Sequence, residues 1–80
     1  MKVQVKLFGE FRRHVPVDGS SPAFWFEIRE GASIRALLEA LGIPPEAPKT
    51  LVHNHRAGGM DAILLDGDIV AVFPPVAGGG

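Results

Sequence analysis

The chain of 80 residues has no cysteine, which excludes disulfides, a cysteine nucleophile and thiolate metal sites. Any sulfur it handled would have to be attached to something other than a thiol. An imbalance of charge is also missing. Eight Lys and Arg stand against nine Asp and Glu, for a formal net charge of -1, so there is no basic footprint for nucleic acid. Long hydrophobic runs are absent too. The opening Met1-Lys2-Val3-Gln4-Val5-Lys6 alternates instead of forming the apolar stretch of a signal peptide, and no later segment reaches membrane-spanning length. A cytoplasmic address is the default expectation. At this length one hydrophobic core is all that can be built.

The residues that are present divide cleanly. Val3, Val5 and Leu7 alternate with polar neighbours, the period-two pattern of a first strand with one buried face. Gly9 to Ala23, with Pro16, Gly19, Ser20, Ser21 and Pro22, reads as a turn and a long loop. Phe24, Phe26 and Ile28 then alternate with Trp25, Glu27 and Arg29, predicting a second strand antiparallel to the first. After Gly31, Ser33 is placed as an N-cap before Ile34, Leu37, Leu38 and Leu41, a single helical stripe. Gly42 suits the left-handed position after it, and Pro44-Pro45 prevents continuation. Leu51 to His55 predicts a third strand, Arg56 to Met60 a turn, and Ala62 to Leu65 a short apolar segment. Asp66-Gly67-Asp68 is a turn leading into Ile69-Val70-Ala71-Val72-Phe73, a strand expected to be buried on much of both faces. The most compact assembly is an α+β ubiquitin-like grasp: a mixed sheet with the last strand beside the first, and the helix across one face.

The final strand runs directly into Pro74-Pro75-Val76-Ala77-Gly78-Gly79-Gly80. The prolines favour an extended course, and glycines are narrow enough to enter a channel closed to larger side chains. A frayed terminus is the plain alternative, but here the run follows a central strand and a proline pair with no linker between. The expected organisation is a domain over 1–75 and a flexible glycine tail over 76–80. Extended, that tail reaches about 15 Å, enough to carry a carboxylate into another protein's active site.

The segment Asp66-Gly67-Asp68-Ile69-Val70-Ala71-Val72-Phe73-Pro74-Pro75-Val76-Ala77-Gly78-Gly79 resembles the ending of the MoaD/ThiS sulfur-carrier family. Phe73 to Gly79 is most similar to the small subunit of molybdopterin synthase. Val5-Lys6-Leu7-Phe8-Gly9, Phe11-Arg12 and Ser33 to Leu38 resemble the family's first strand and helix start. Two departures are visible: His53-Asn54-His55 replaces a valine-asparagine-glycine type of turn, and three glycines stand where two are usual. The resemblance implies a carrier without catalytic activity of its own. A ubiquitin-activating-like enzyme would use ATP to adenylate the terminal carboxylate, on Gly80 or on Gly79 if Gly80 is removed, and a persulfide would convert it to a thiocarboxylate. A large catalytic subunit of molybdopterin synthase would then receive the sulfur to build a dithiolene. Phe73, Pro74, Pro75, Val76, Ala77, Gly78 and Gly79 are the expected partner-binding residues. The chain itself is expected to bind no cofactor or metal, and neither nucleic acid nor a membrane is an expected partner.

Strand parity refines the expected interface. If Val70 and Val72 face the helix, then Ile69, Ala71 and Phe73 face outward, together with Phe8 and Trp25 on their own strands. Other motifs carry less. His53 and His55 would share a strand face and could ligate a metal with His14 or Asp61, but solvated histidines are ordinary. Arg12-Arg13-His14 reads as a solvated turn and Gly58-Gly59 as an internal one. Glu10, Glu27, Glu30 and Glu39 show no acid/base pairing. The competing functions are a ubiquitin-like protein modifier, sulfur delivery to thiamin or another pathway, and a non-reactive binding module.

Overall fold

The computed structural model describes residues 1–16 and 21–75. Five strands form one sheet: β1 (Lys2–Leu7), β2 (Ala23–Glu27), β3 (Thr50–His53), β4 (Arg56–Ala57) and β5 (Ile69–Phe73), with helix α1 (Ile34–Ala40). Their order is β2-β1-β5-β3-β4. β5 is parallel to β1 and antiparallel to β3, and β2 pairs antiparallel with β1. The most apolar strand therefore lies at the centre beside the first, which is the expected ubiquitin-like β-grasp of the α+β class.

The register explains the core. Val5 pairs with Phe24 on one side and Val70 on the other, and Leu7 with Val72, which in turn faces Leu51. Val3, Val5, Leu7, Val70 and Val72 are fully buried, as are Ile34, Leu37 and Leu38 of the helix stripe. Each such side chain contributes about 1.5–3 kcal/mol relative to an exposed one. Ser33 Oγ accepts from Ala36 N–H at 3.1 Å, the expected N-cap, worth about 1 kcal/mol. Gly42 ends the helix region at φ +82°.

Three expectations are corrected. The stretch after β1 is not only turn and loop, because Gly9–His14 forms a 3-10 helix that sinks Phe11 into the core. Residues 17–20 of the same expected loop lie outside the described residues. The third strand stops at His53, since Asn54 and His55 take positive φ (52° and 70°) as the two central residues of a tight hairpin turn into β4. That turn falls earlier than the expected Arg56 to Met60 turn, whose first two residues are strand. The expected short segment Ala62 to Leu65 passes beside the helix N-terminus, where Ile34 N–H donates to Ala62 O and Leu64 N–H to Ala32 O. Leu64 is buried, while Ile63 and Leu65 point to solvent.

Candidate functional site

The helix covers one face of the sheet and leaves the other open. On β5 the parity is as expected: Val70 and Val72 are buried beneath the helix side, and Ile69, Ala71 and Phe73 project to the open face. Ala71 is only 7% exposed despite this orientation. Its small side chain sits between Lys6 of β1 and Val52 of β3, its register partners. Phe8, just beyond β1, turns its ring to Phe73, and the two stack with centroids 4.6 Å apart and planes 5° from parallel.

These rings border an apolar trough of about 220 Å³. Ile69, Ala71 and Val52 form its floor, and Lys6 and His55 bring basic or titratable groups to it. The trough adjoins the point where the chain leaves the sheet. There Pro74 is half-buried and Pro75 exposed. A larger hollow of about 380 Å³, lined by Lys2, Trp25, Asp66 and Gly67, lies by the other end of β1 and β5. Along β1 the hollow is at Lys2, and the trough runs from Lys6 toward Phe8. The smaller one is the better candidate, because only it borders the expected partner-binding residues.

Of those residues, Phe73, Pro74 and Pro75 are brought together beside the trough, and Val76, Ala77, Gly78, Gly79 and Gly80 lie outside the described residues. Phe8 joins Phe73 as its outward parity suggested. Trp25 does not: it is 59% exposed on the edge strand, in register with Gln4, toward the other hollow. Two participants escaped the sequence reading. His55 reaches the trough because the hairpin turn carries it there. Gly9 has a positive φ of 60°, and a Cβ on it would lie 2.2 Å from Pro74 Cγ. The pairing of a proline with a glycine 65 positions earlier leaves no local signal.

His53 and His55 do not share a face, which removes the metal arrangement considered from sequence. His53 donates from Nε2 to Asp68 Oδ2 at 2.7 Å, while His55 lines the open-face trough. His14 Nδ1 lies 3.2 Å from Leu41 O, and Asp61 pairs with Arg35. Among the described residues no group of three or more His, Cys, Asp or Glu is placed to hold a metal ion.

The far end of β5 is organised by Asp68, a carboxylate only 8% exposed. It accepts hydrogen bonds from His53, from Asn54 Nδ2 at 3.0 Å and from Leu65 N–H at 2.9 Å. Burial works against its charge, but the hydrogen bonds from Asn54, His53 and Leu65 outweigh that and hold its carboxyl below the ordinary carboxylate range. Asn54 Oδ1 also accepts from Ile69 N–H at 2.8 Å. The β3–β4 turn and the start of β5 are thereby joined.

Residues 1–78 match the family described as Mut7-C ubiquitin. The chain belongs to the Mut7-C ubiquitin family. Among solved structures, this family member is similar to molybdopterin converting factor subunit 1 from Pyrococcus furiosus, with 31% identity over 95% of this chain and 99% of that one and a TM-score of 0.73. Small archaeal modifier protein 1 from Haloferax volcanii shares 22% identity, covering 94% and 98% of the two chains with a TM-score of 0.69. Subunits 1 and 2 of the molybdopterin-converting factor from Helicobacter pylori form a complex that contains a match at 22% identity, 96% and 97% coverage and a TM-score of 0.56. The last two likenesses bear on the fold alone. No curated protein matches the sequence. Together with the first, the family match makes this Mut7-C ubiquitin domain MoaD/ThiS-like. Among the described residues no helix is long and apolar enough to cross a membrane.

Proposed function

We propose that this ubiquitin-like domain is a sulfur carrier, acting as the small subunit of a molybdopterin synthase with the carboxylate of its terminal glycine as the reactive group. The observation that carries this reading is the exit of the central strand. β5 delivers Phe73, Pro74 and Pro75 to the border of an open apolar trough, in a chain whose next residues are Val76-Ala77-Gly78-Gly79-Gly80. The trough and the root of the tail are thus neighbours, as docking and delivery by one carrier require. The likeness to molybdopterin converting factor subunit 1 supports the choice of pathway.

The chemistry is that of activating a poor electrophile. The carboxylate oxygen attacks the α-phosphate of ATP in a ubiquitin-activating-like partner, releasing pyrophosphate and forming an acyl-adenylate. A persulfide sulfur displaces AMP at the acyl carbon, and a thiol then cleaves the resulting acyl disulfide to leave the thiocarboxylate. A larger subunit receives the tail and passes the sulfur to a pterin precursor. This chain contributes no base, nucleophilic thiol or metal to those steps; it contributes a docking face and a narrow tail. The cofactor, ATP, is the activating partner's substrate.

The deciding experiment is the intact mass of the protein isolated gently from its native cells. A species heavier by the exchange of one oxygen for sulfur, lost on alkaline hydrolysis, is expected, and its mass identifies Gly80 or Gly79 as the loaded residue. If the unmodified mass alone persists after incubation with ATP, a sulfur donor and the activating enzyme, the carrier reading fails. A second reading, a protein modifier joined to lysine amines through the same adenylate, is favoured by the fold shared with small archaeal modifier protein 1. It requires higher-mass conjugates in extract instead.

A further inference from the structure

The parallel register of β1 with β5 ends at Leu7 and Val72, yet three more contacts follow it. Phe8 N–H donates to Val72 O at 3.0 Å. The Phe8 ring stacks flat on Phe73. Gly9, at φ +60°, leaves a slot for Pro74, since a Cβ there would lie 2.2 Å from Pro74 Cγ and 2.9 Å from Cδ. A long side chain could swing clear of such a clash. A proline ring is tied to its own backbone at both ends, so residue 74 as a whole would have to shift. Two residues after β1 thus hold three successive residues of the exit, with a hydrogen bond, a ring face and a shape-matched slot.

We infer that Phe8 and Gly9 are positioning residues, a mount that fixes the course of the chain from Val72 through Pro74 as it leaves the sheet. The consequence for activation rests on the carrier reading; the mount itself does not. A fixed root matters because a tail of set length carries its end to a partner's reacting group only from the right starting point, and reacting groups displaced by about 1 Å can lose a hundredfold in rate. A fixed exit also reduces what a partner must order on binding.

The test compares the full chain with Gly9→Ala and Phe8→Leu, each first checked for a folded amide spectrum; should Gly9→Ala not fold, Phe8→Leu decides. One-bond Cα–Hα couplings are recorded in an aligned medium, without partners, for Pro74 and Pro75 and for Val70 and Val72 as the sheet reference. Expected are couplings at Pro74 and Pro75 reduced by about half or more in the variants, as for a segment passing from rigid to mobile, with the sheet couplings kept. In parallel, the adenylation rate at saturating carrier should fall at least about tenfold, a kcat effect, whereas loss of Phe8 from the trough alone raises KM. Unchanged proline couplings overturn the mount, and reduced couplings with an unchanged kcat overturn its positioning role. If the wild-type chain is not adenylated at all, the carrier reading has failed and the couplings still decide the mount.

Discussion

The two ends of β5 are held by opposite means. At its start, Asp68, His53 and Asn54 form a polar knot, with Gln4 N–H donating to Asp68 O at 2.8 Å and Asn54 N–H to Ile69 O at 2.8 Å. At its finish, the Phe8–Phe73 stack and the Pro74 slot at Gly9 supply shape and apolar contact. At the polar end Asp68 is buried while Asn54 stays exposed, and the hydrogen bond between them is directional. The apolar end stays partly open to solvent, so its surface is available to a partner. The lesson is a contrast along one strand of five residues: hydrogen bonds to a carboxylate hold the end remote from the tail, and ring stacking and shape hold the end beside it.

Substitutions can break this contrast. The largest effect is expected for Asp68→Ala, which leaves the donors of His53, Asn54 and Leu65 unsatisfied and should cost about 3 kcal/mol in chemical denaturation. For a domain of this size each kcal/mol lowers Tm by about 4–8 °C. Next is Phe73→Asp, which should leave the chain folded while weakening binding to the proposed large subunit by about 2 kcal/mol, the scale of an aromatic anchor; unchanged affinity by calorimetry removes Phe73 from the proposed interface.

Acid should loosen the polar end selectively. Because the folded pKa of Asp68 is depressed, its contribution is present above the unfolded carboxylate value, about 3.9, and is lost as pH falls through the lower folded value. Hydrogen exchange followed from neutral to acid pH should therefore show Asn54 and Ile69 amides losing protection in wild type, with that pH response missing in Asp68→Asn. The smallest effect belongs to Trp25→Ser. Trp25 is 59% exposed and remote from the exit, so stability should shift by less than about 0.5 kcal/mol and activation should not change. A large loss of activation in that variant would extend the recognition surface across β1.

Much of the fold was legible because its signals are local. Val3, Val5 and Leu7 announce a half-buried strand, Ser33 caps the helix that Ile34, Leu37 and Leu38 define, and the parity of Val70 against Phe73 assigned the faces of β5 correctly. The turn at Asn54 and His55 was misplaced because no glycine marks it: where the resembled family has a valine-asparagine-glycine type of turn, this chain puts two non-glycine residues at positive φ. Asp66-Gly67-Asp68 reads as a turn from its composition, and it is one. That Asp68 would become the hub of a knot depends on His53 and Asn54, 15 and 14 positions away, and no periodicity reports such a partner.

The sequence by itself determined that this chain has no thiol chemistry, folds around one helix and a sheet, and carries prolines and glycines after its most apolar strand. Each of these follows from residue type, hydrophobic period or backbone propensity, which act over a few neighbours. Only the tertiary structure decided that Phe8 stacks on Phe73, that Gly9 makes room for Pro74, and that His53 and His55 part to opposite faces. The parallel pairing of β1 with β5 brings together residues more than sixty positions apart, and contacts at that separation are set by how the whole chain packs.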